Sequence, residues 1–395
     1  MWRRERAELL LDSKISQFQN ESPSPPTEER AGVRGRLGDE HRSSVPPHPD
    51  PLPRRGRGKF ISSFQSSDRG AAITTTLAVL ALILAAISFA IGPAQISLND
   101  LFGGLFAQHG TATVIAREIR LPRALLALVV GGALGASGAA LQGLFRNPLA
   151  DPGVTGVTSS AGFGAVVAMY FGFAALNPLI LPASAIAGAV ATSTILYFLS
   201  RAGAERTALI LTGAAIASLA TAMTALAMSL APNPYAMSEM IRWMMGSLKD
   251  STLADFELAV VPVVVGVAIL WSAARSLDAL TLGEEAAQSL GVNVHGVRRR
   301  VVIGVALATG AATAAAGAVS FVGLVVPHLL RPFYAYEPAR LIIPSALGGA
   351  ALVTAADIAV RLIAPDGQLL VGVMTAMIGA PFFVWLILRM RREAI

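Results

Sequence analysis

Arginine and a few carboxylates are the residues best placed to do chemistry, and their spacing suits recognition rather than catalysis. Arg120-Leu-Pro-Arg123 opens a long apolar run, with Pro122 suited to the first turn of a helix. Both cations would then face the positive end of their own helix dipole, which disfavours them by roughly 0.3–1 kcal/mol each. An acidic partner beyond the chain would account for them, as would lipid phosphate reached by snorkelling. Asp357 and Arg361 stand four apart near the end of another apolar run, within reach as helical neighbours. If Asp357 neutralises Arg361, that arginine is structural; otherwise the three arginines form a basic rim.

A second pattern is Thr281-Leu-Gly-Glu-Glu-Ala-Ala-Gln-Ser-Leu-Gly291, a short polar segment between two apolar runs. Thr281 with Glu284 reads as a capping box and Gly291 as a helix stop. Leu282, Ala286 and Leu290 could share one apolar stripe, with Glu284 and Glu285 at the favourable end of the dipole. Such a helix is a candidate partner surface, although a helix lying in solvent or on headgroups fits the same residues.

Other chemistry is sparse. His109, His295 and His328 show no metal-ligand spacing, cysteine is absent, and no Gly-x-x-x-x-Gly-Lys-Ser/Thr loop occurs. No resident metal or other cofactor is expected; a metal would arrive inside a chelator. ATP drive would need a partner. Few carboxylates fall at membrane depth, Asp357 being the nearest, which weighs against an ion-coupled secondary carrier and against a membrane-embedded enzyme.

The elements that must position these residues are helices in lipid. Hydrophobic residues make up 54% of the chain and charged ones 14%, with mean hydropathy +0.60, well beyond a soluble domain. Apolar runs of about 20 residues recur from Ala71 onward, without the alternation of a barrel strand. The expected fold is all-α with about ten membrane spans, near 72–92, 122–144, 155–175, 178–200, 207–231, 255–274, 300–318, a short 319–332, 341–364 and 369–389. With the amino terminus inside, twelve arginines fall on the cytoplasmic side and six Lys or Arg opposite, so both termini are expected in the cytoplasm. Small residues such as Gly131, Gly135 and Gly138 predict close helix packing. Residues 1–70 carry 13 Lys and Arg, 10 Asp and Glu and eight prolines, and read as a disordered cytoplasmic tail before a permease body at 71–395; a start codon further downstream is an equal reading. The tail's mixed charge argues against nucleic acid as a partner.

The stretch from Ile115 to Arg392 resembles the FecCD family, the permeases of iron-siderophore, haem and cobalamin ABC importers. The resemblance rests on the order of Arg120-Leu-Pro-Arg123, Gly138-Ala-Ala-Leu-Gln142, Arg146-Asn-Pro-Leu-Ala-Asp-Pro-Gly153, Leu282-Gly-Glu-Glu, Ser289-Leu-Gly-Val292, Phe321-Val-Gly-Leu-Val-Val-Pro-His328, Ala356-Asp357 and Gly379-Ala-Pro-Phe382. It implies a non-catalytic subunit of a two-permease, two-ATPase assembly fed by an extracytoplasmic solute-binding protein. It further implies that Leu282, Gly283, Glu284, Glu285, Ala286, Ser289, Leu290 and Gly291 couple to the ATPase. Arg120, Arg123 and Arg361 would meet acidic residues of the binding protein, and the span Thr207–Ala231 would line the path. An iron-siderophore is the expected cargo, with haem or cobalamin as the alternative. The chain departs from the family at Asp366-Gly-Gln-Leu-Leu370 and at Pro332–Pro338.

Overall fold

The computed structural model describes residues 57–393 apart from 95, 108, 203–205 and 365–368. Its helices are α1 (Arg57–Ala90), α2 (Leu98–Phe106), α3 (Thr111–Phe145), α4 (Val157–Tyr170), α5 (Ile180–Arg201), α6 (Arg206–Ser229) and α7 (Pro234–Met244). After these come α8 (Leu253–Thr281), α9 (Glu284–Ser289), α10 (Val294–Ala316), α11 (Val322–Leu330), α12 (Pro338–Ile363) and α13 (Val371–Glu393). Among the described residues, eight are long and apolar enough to cross a membrane: α1, α3, α5, α6, α8, α10, α12 and α13. The shorter α4 and α11, of 14 and 9 residues, stand where the expected spans 155–175 and 319–332 fall. Helix α1 begins at Arg57, so the expected boundary at residue 70 falls inside it; residues 1–56 and Asp366-Gly-Gln368 lie outside the described residues.

Local chemistry sets the helix starts. Ser97 Oγ accepts from the Asp100 N–H, Asn233 Oδ1 from Ala236, and Asn293 Oδ1 from Gly296. Thr252 and Asp255 cap each other's backbone N–H at the head of α8. Near its start α3 passes through a π-helical turn at Ile115–Arg120, which sets the side chains that follow.

The bundle is built around α3, α10 and α12, the spans most buried by their neighbours, at 78%, 67% and 67% of their apolar windows. Helices α1, α5, α6, α8 and α13 surround them and turn apolar side chains such as Leu82, Leu219, Val261 and Met377 outward. That is the pattern expected where lipid or a partner span replaces water.

Helices α3 and α12 touch backbone to backbone. A Cβ on Gly135 would overlap the Ser345 carbonyl, and one on Gly131 would overlap the Gly349 carbonyl. A Cβ on Gly138 would strike Gly323 at the head of α11. These are the small-residue contacts on which helix association in lipid depends. By contrast, a Cβ on Gly132 would have its nearest neighbour at 3.6 Å, the Ala346 carbonyl oxygen.

We therefore expect Gly135→Val to destabilise the bundle by about 1–3 kcal/mol or more, and Gly132→Ala to be tolerated. Thermal unfolding of the two variants in the same detergent checks this; equal midpoints would remove the seam from its central role.

Candidate functional site

At the end of the bundle where α1 finishes, three arginines converge on one carboxylate and one set of carbonyls. Asp357 on α12 is fully buried. Its Oδ1 accepts from Arg123 Nη2 at 2.8 Å and its Oδ2 lies 2.9 Å from Arg361 Nη2. Arg123 Nε adds bonds to both carboxylate oxygens at 3.0 and 3.2 Å, giving the fork-on-carboxylate geometry that favours arginine. Arg361 Nη1 also donates to the carbonyls of Ser88 and Ile91, each at 2.8 Å.

Arg120 is 4% exposed and binds no carboxylate. It donates to the carbonyls of Ala90 and Ala94, both at 2.6 Å, and more weakly to Phe89. Gly92 lets the chain close over this guanidinium, since a Cβ there would lie 2.7 Å from Arg120 Nε. Arg120 and Arg361 thus satisfy orphan carbonyls at the end of α1 and sit at its negative dipole end.

The arginines therefore find internal partners, Asp357 for Arg123 and Arg361 and backbone carbonyls for Arg120 and Arg361. Sequence spacing paired Asp357 with Arg361, and the fold adds Arg123 from a different helix.

Beside this cluster lies a cavity of about 290 Å³ whose walls include Gly92, Arg123, Lys249, Arg361 and Leu370. Among the described residues, no carboxylate lines it. Arg123 and Arg361 keep a fringe of exposure there, at 17% and 9% of their side chains, while Lys249 is exposed. Lys249 carried no motif; only the fold places it beside the arginines.

At the opposite end, α8 gives way to α9. The capping box expected of Thr281 with Glu284 is absent: Thr281 closes α8, its Oγ1 donating to the Asp278 carbonyl at 2.6 Å. The residue preceding α9 is Gly283, at φ 113°, which no side chain caps. Glu284 instead pairs with Arg298 of α10 at 2.6 Å, and Arg298 also donates to the Ser200 carbonyl at 3.0 Å.

The glycine stop is present. Gly291 has φ 81°, its N–H bonds the Gln288 carbonyl, and the Val292 N–H reaches back to Ala287, which is the Schellman arrangement. Ala287 is buried, whereas Leu282 (68%), Ala286 and Leu290 (66%) are exposed. Glu285 and Ser289 are exposed as well, with Ser289 Oγ bonded to the Glu285 carbonyl. An anchored helix with an uncovered apolar stripe is equipped to receive a partner.

One buried carboxylate escaped sequence reading. Asp151, in the segment joining α3 to α4, accepts from the Gly153 N–H at 2.7 Å and lies against Gly323. Among the described residues, no three His, Asp or Glu gather as metal ligands.

These features define a multi-pass membrane permease with a cationic cavity at one end and an exposed short helix at the other. The model of the FecCD transport family matches residues 79–389, and the chain belongs to that family, whose members are non-catalytic permease subunits of ABC transporters. It is 38% identical to the Hemin transport system permease protein HmuU of Yersinia pestis, over 80% of this chain and 95% of that one. Identity is 37% with the Vitamin B12 import system permease protein BtuC of Yersinia enterocolitica, over 71% and 84%. It is 40% with the Cobalamin import system permease protein BtuC of Halobacterium salinarum, over 71% and 75%. A solved structure assigned to the metal-chelate type of ABC transporter, in an inward-facing conformation, matches with TM-score 0.71 and 30% identity, over 81% of this chain and 99% of that one.

Removing one partner of a buried charge cluster leaves the others uncompensated. Asp357→Asn is expected to cost about 3–5 kcal/mol on that ground, read as a lowered unfolding midpoint in detergent. A wild-type midpoint would mean that the ion pairs with Asp357 contribute nothing to the stability of the cluster.

Proposed function

We propose that this permease imports a metal-bearing macrocycle, of the haem or cobalamin class, as part of an assembly with two ATPase subunits, a second permease and an extracytoplasmic binding protein. The cargoes named for the relatives HmuU and BtuC support this class over the iron-siderophore that family frequency alone suggested. Both termini lie in the cytoplasm in this reading, which puts α9 at the cytoplasmic face and the arginine cluster outside.

The observation that carries the proposal is the opposition of the two ends. An acidic group of the binding protein enters the cavity walled by Arg123, Lys249 and Arg361. Arg120, spent on the carbonyls of α1, acts in docking as a positioning residue that holds the cavity wall. At the other face, Leu282, Gly283, Glu284, Glu285, Ala286, Ser289, Leu290 and Gly291 form the ATPase contact, with the exposed leucines entering an apolar groove. The path for cargo runs along α6, between the two permeases.

The test of cargo is uptake of radiolabelled cobalamin, haemin and an iron-siderophore by cells with and without this gene, with and without ATP depletion at preserved membrane potential. Loss of cobalamin or haemin uptake on deletion and on ATP depletion is expected. Loss of siderophore uptake alone would return the cargo to the siderophore class, and uptake that follows the ion gradient instead of ATP would indicate a secondary carrier.

Docking has its own test. Lys249 makes no ion pair among the described residues, so Lys249→Glu changes the cavity's charge without opening the Asp357 cluster. Binding-protein affinity should fall about tenfold at low salt and the difference should shrink as salt rises. Unchanged affinity at low salt would rule the cavity out as the docking point.

A further inference from the structure

A second cationic cavity, of about 210 Å³, lies at the α9 end of the bundle, with walls that include Gln142, Arg146, Thr281, Arg331, Tyr336 and Leu341. It is separate from the arginine cluster and is not part of α9. Among the described residues, no Asp or Glu lines it, and neither Arg146 nor Arg331 forms an ion pair.

The two cations are built in. Arg331 Nη2 donates to Gln142 Oε1 at 2.6 Å. Gln142 is itself fixed, because its Nε2 donates to the carbonyls of Gly323 and Leu324 at 3.1 and 3.3 Å. That bond orients Arg331 and leaves its charge without a counter-ion. Burial lowers the Arg331 pKa from its ordinary value, yet a guanidinium stays protonated at neutral pH.

Arg146 is held by its backbone. It ends α3 at φ 48°, in the left-handed region where glycine is usual, with its N–H bonded to the Gly143 carbonyl at 3.3 Å. The negative end of α3 offers it about half a charge, too little to balance two arginines. Thr281 adds no donor to the cavity, its hydroxyl hydrogen being given to Asp278. Tyr336 also lines the cavity and carries a hydroxyl that can donate.

We infer that this cavity binds a phosphate-type oxyanion, held by the guanidinium groups of Arg146 and Arg331 with the Tyr336 hydroxyl as a further donor. Two guanidinium forks and a phenol suit a tetrahedral oxyanion. The volume falls below the roughly 300–1,000 Å³ typical of sites for drug-sized ligands, so it suits a phosphate-sized group better than a whole nucleotide or metal macrocycle. The phosphate can come from a phospholipid headgroup or from solution, and the same donors serve both.

The full chain in maltoside micelles, which contain no phosphate, provides the test. Its thermal midpoint is followed during titration with sodium phosphate against sodium chloride at matched ionic strength, and separately with phosphatidylglycerol against a galactolipid. A saturable rise with phosphate or phosphatidylglycerol is expected, and the arm that saturates at lower concentration identifies the source. Arg146→Gln and Arg331→Gln should each weaken that response at least tenfold, with Arg146→Lys recovering part of it. Because Arg331 also holds Gln142, its variant can fail by misfolding, and Arg146→Gln then decides alone. No rise beyond the controls in either arm would overturn the site. A wild-type response in Arg146→Gln would do the same, as would an unchanged response accompanied by weakened ATPase assembly, which would assign the arginine to a partner's carboxylate.

Discussion

Everything at the two ends of this molecule depends on the line where α3 and α12 meet without side chains between them. In lipid the hydrophobic effect does not drive helices together, so close approach must come from dispersion, backbone contact and a few polar ties. Gly131 and Gly135 remove the Cβ atoms that would hold the axes apart. The same approach brings Arg123 within bonding distance of Asp357 at one end of the pair. With α11 pressed on Gly138, it also brings Gln142 to the carbonyls of α11 and hence to Arg331. One helix pair therefore sets the geometry of both cationic cavities.

The charges at the arginine end are handled by sharing. A single buried Asp357 serves two guanidiniums, and carbonyls at the end of α1 and in the turn after it accept from Arg361 and Arg120. Burying three cations beside one anion would be costly if each needed its own carboxylate. Helix-end carbonyls are already unsatisfied and already negative, so they offset much of that cost. The arrangement also fixes the end of α1 to α3 and α12, giving the cavity beside it walls that hold their shape.

The sequence showed where the helices are, because lipid demands long apolar runs and punishes irregular backbone. Expected spans such as 207–231 and 341–364 differ from α6 and α12 by only a few residues. Partnership was harder to read. The pair Asp357 and Arg361 was visible because both lie on one helix, four residues apart. Arg123, 234 residues from Asp357 in the chain, and Lys249, in an undistinguished loop, are set by packing. The partners of Arg120 were hidden for a related reason: its own helix start was considered, while the helix end that it caps belongs to α1. At α9 the spacing of Thr281 and Glu284 matched a capping box, but the longer α8 absorbed Thr281 and Arg298 took Glu284.

That substitution bears on how α9 can transmit force. It is bracketed by Gly283 and Gly291, both at positive φ, so its ends are the places where the backbone bends most readily. A helix tethered only by such ends would swing freely under a partner and pass nothing on. The ion pair of Glu284 with Arg298 removes that freedom on one side, and Arg298 is in turn bound to the Ser200 carbonyl at the end of α5. In the contact proposed for α9, a displacement of Leu282 or Leu290 would be carried into α10 and α5 through Arg298 and into α8 through the chain itself. Because α10 is one of the three buried spans at the centre of the bundle, a push on a six-residue helix reaches the packed core without passing through lipid-facing surface.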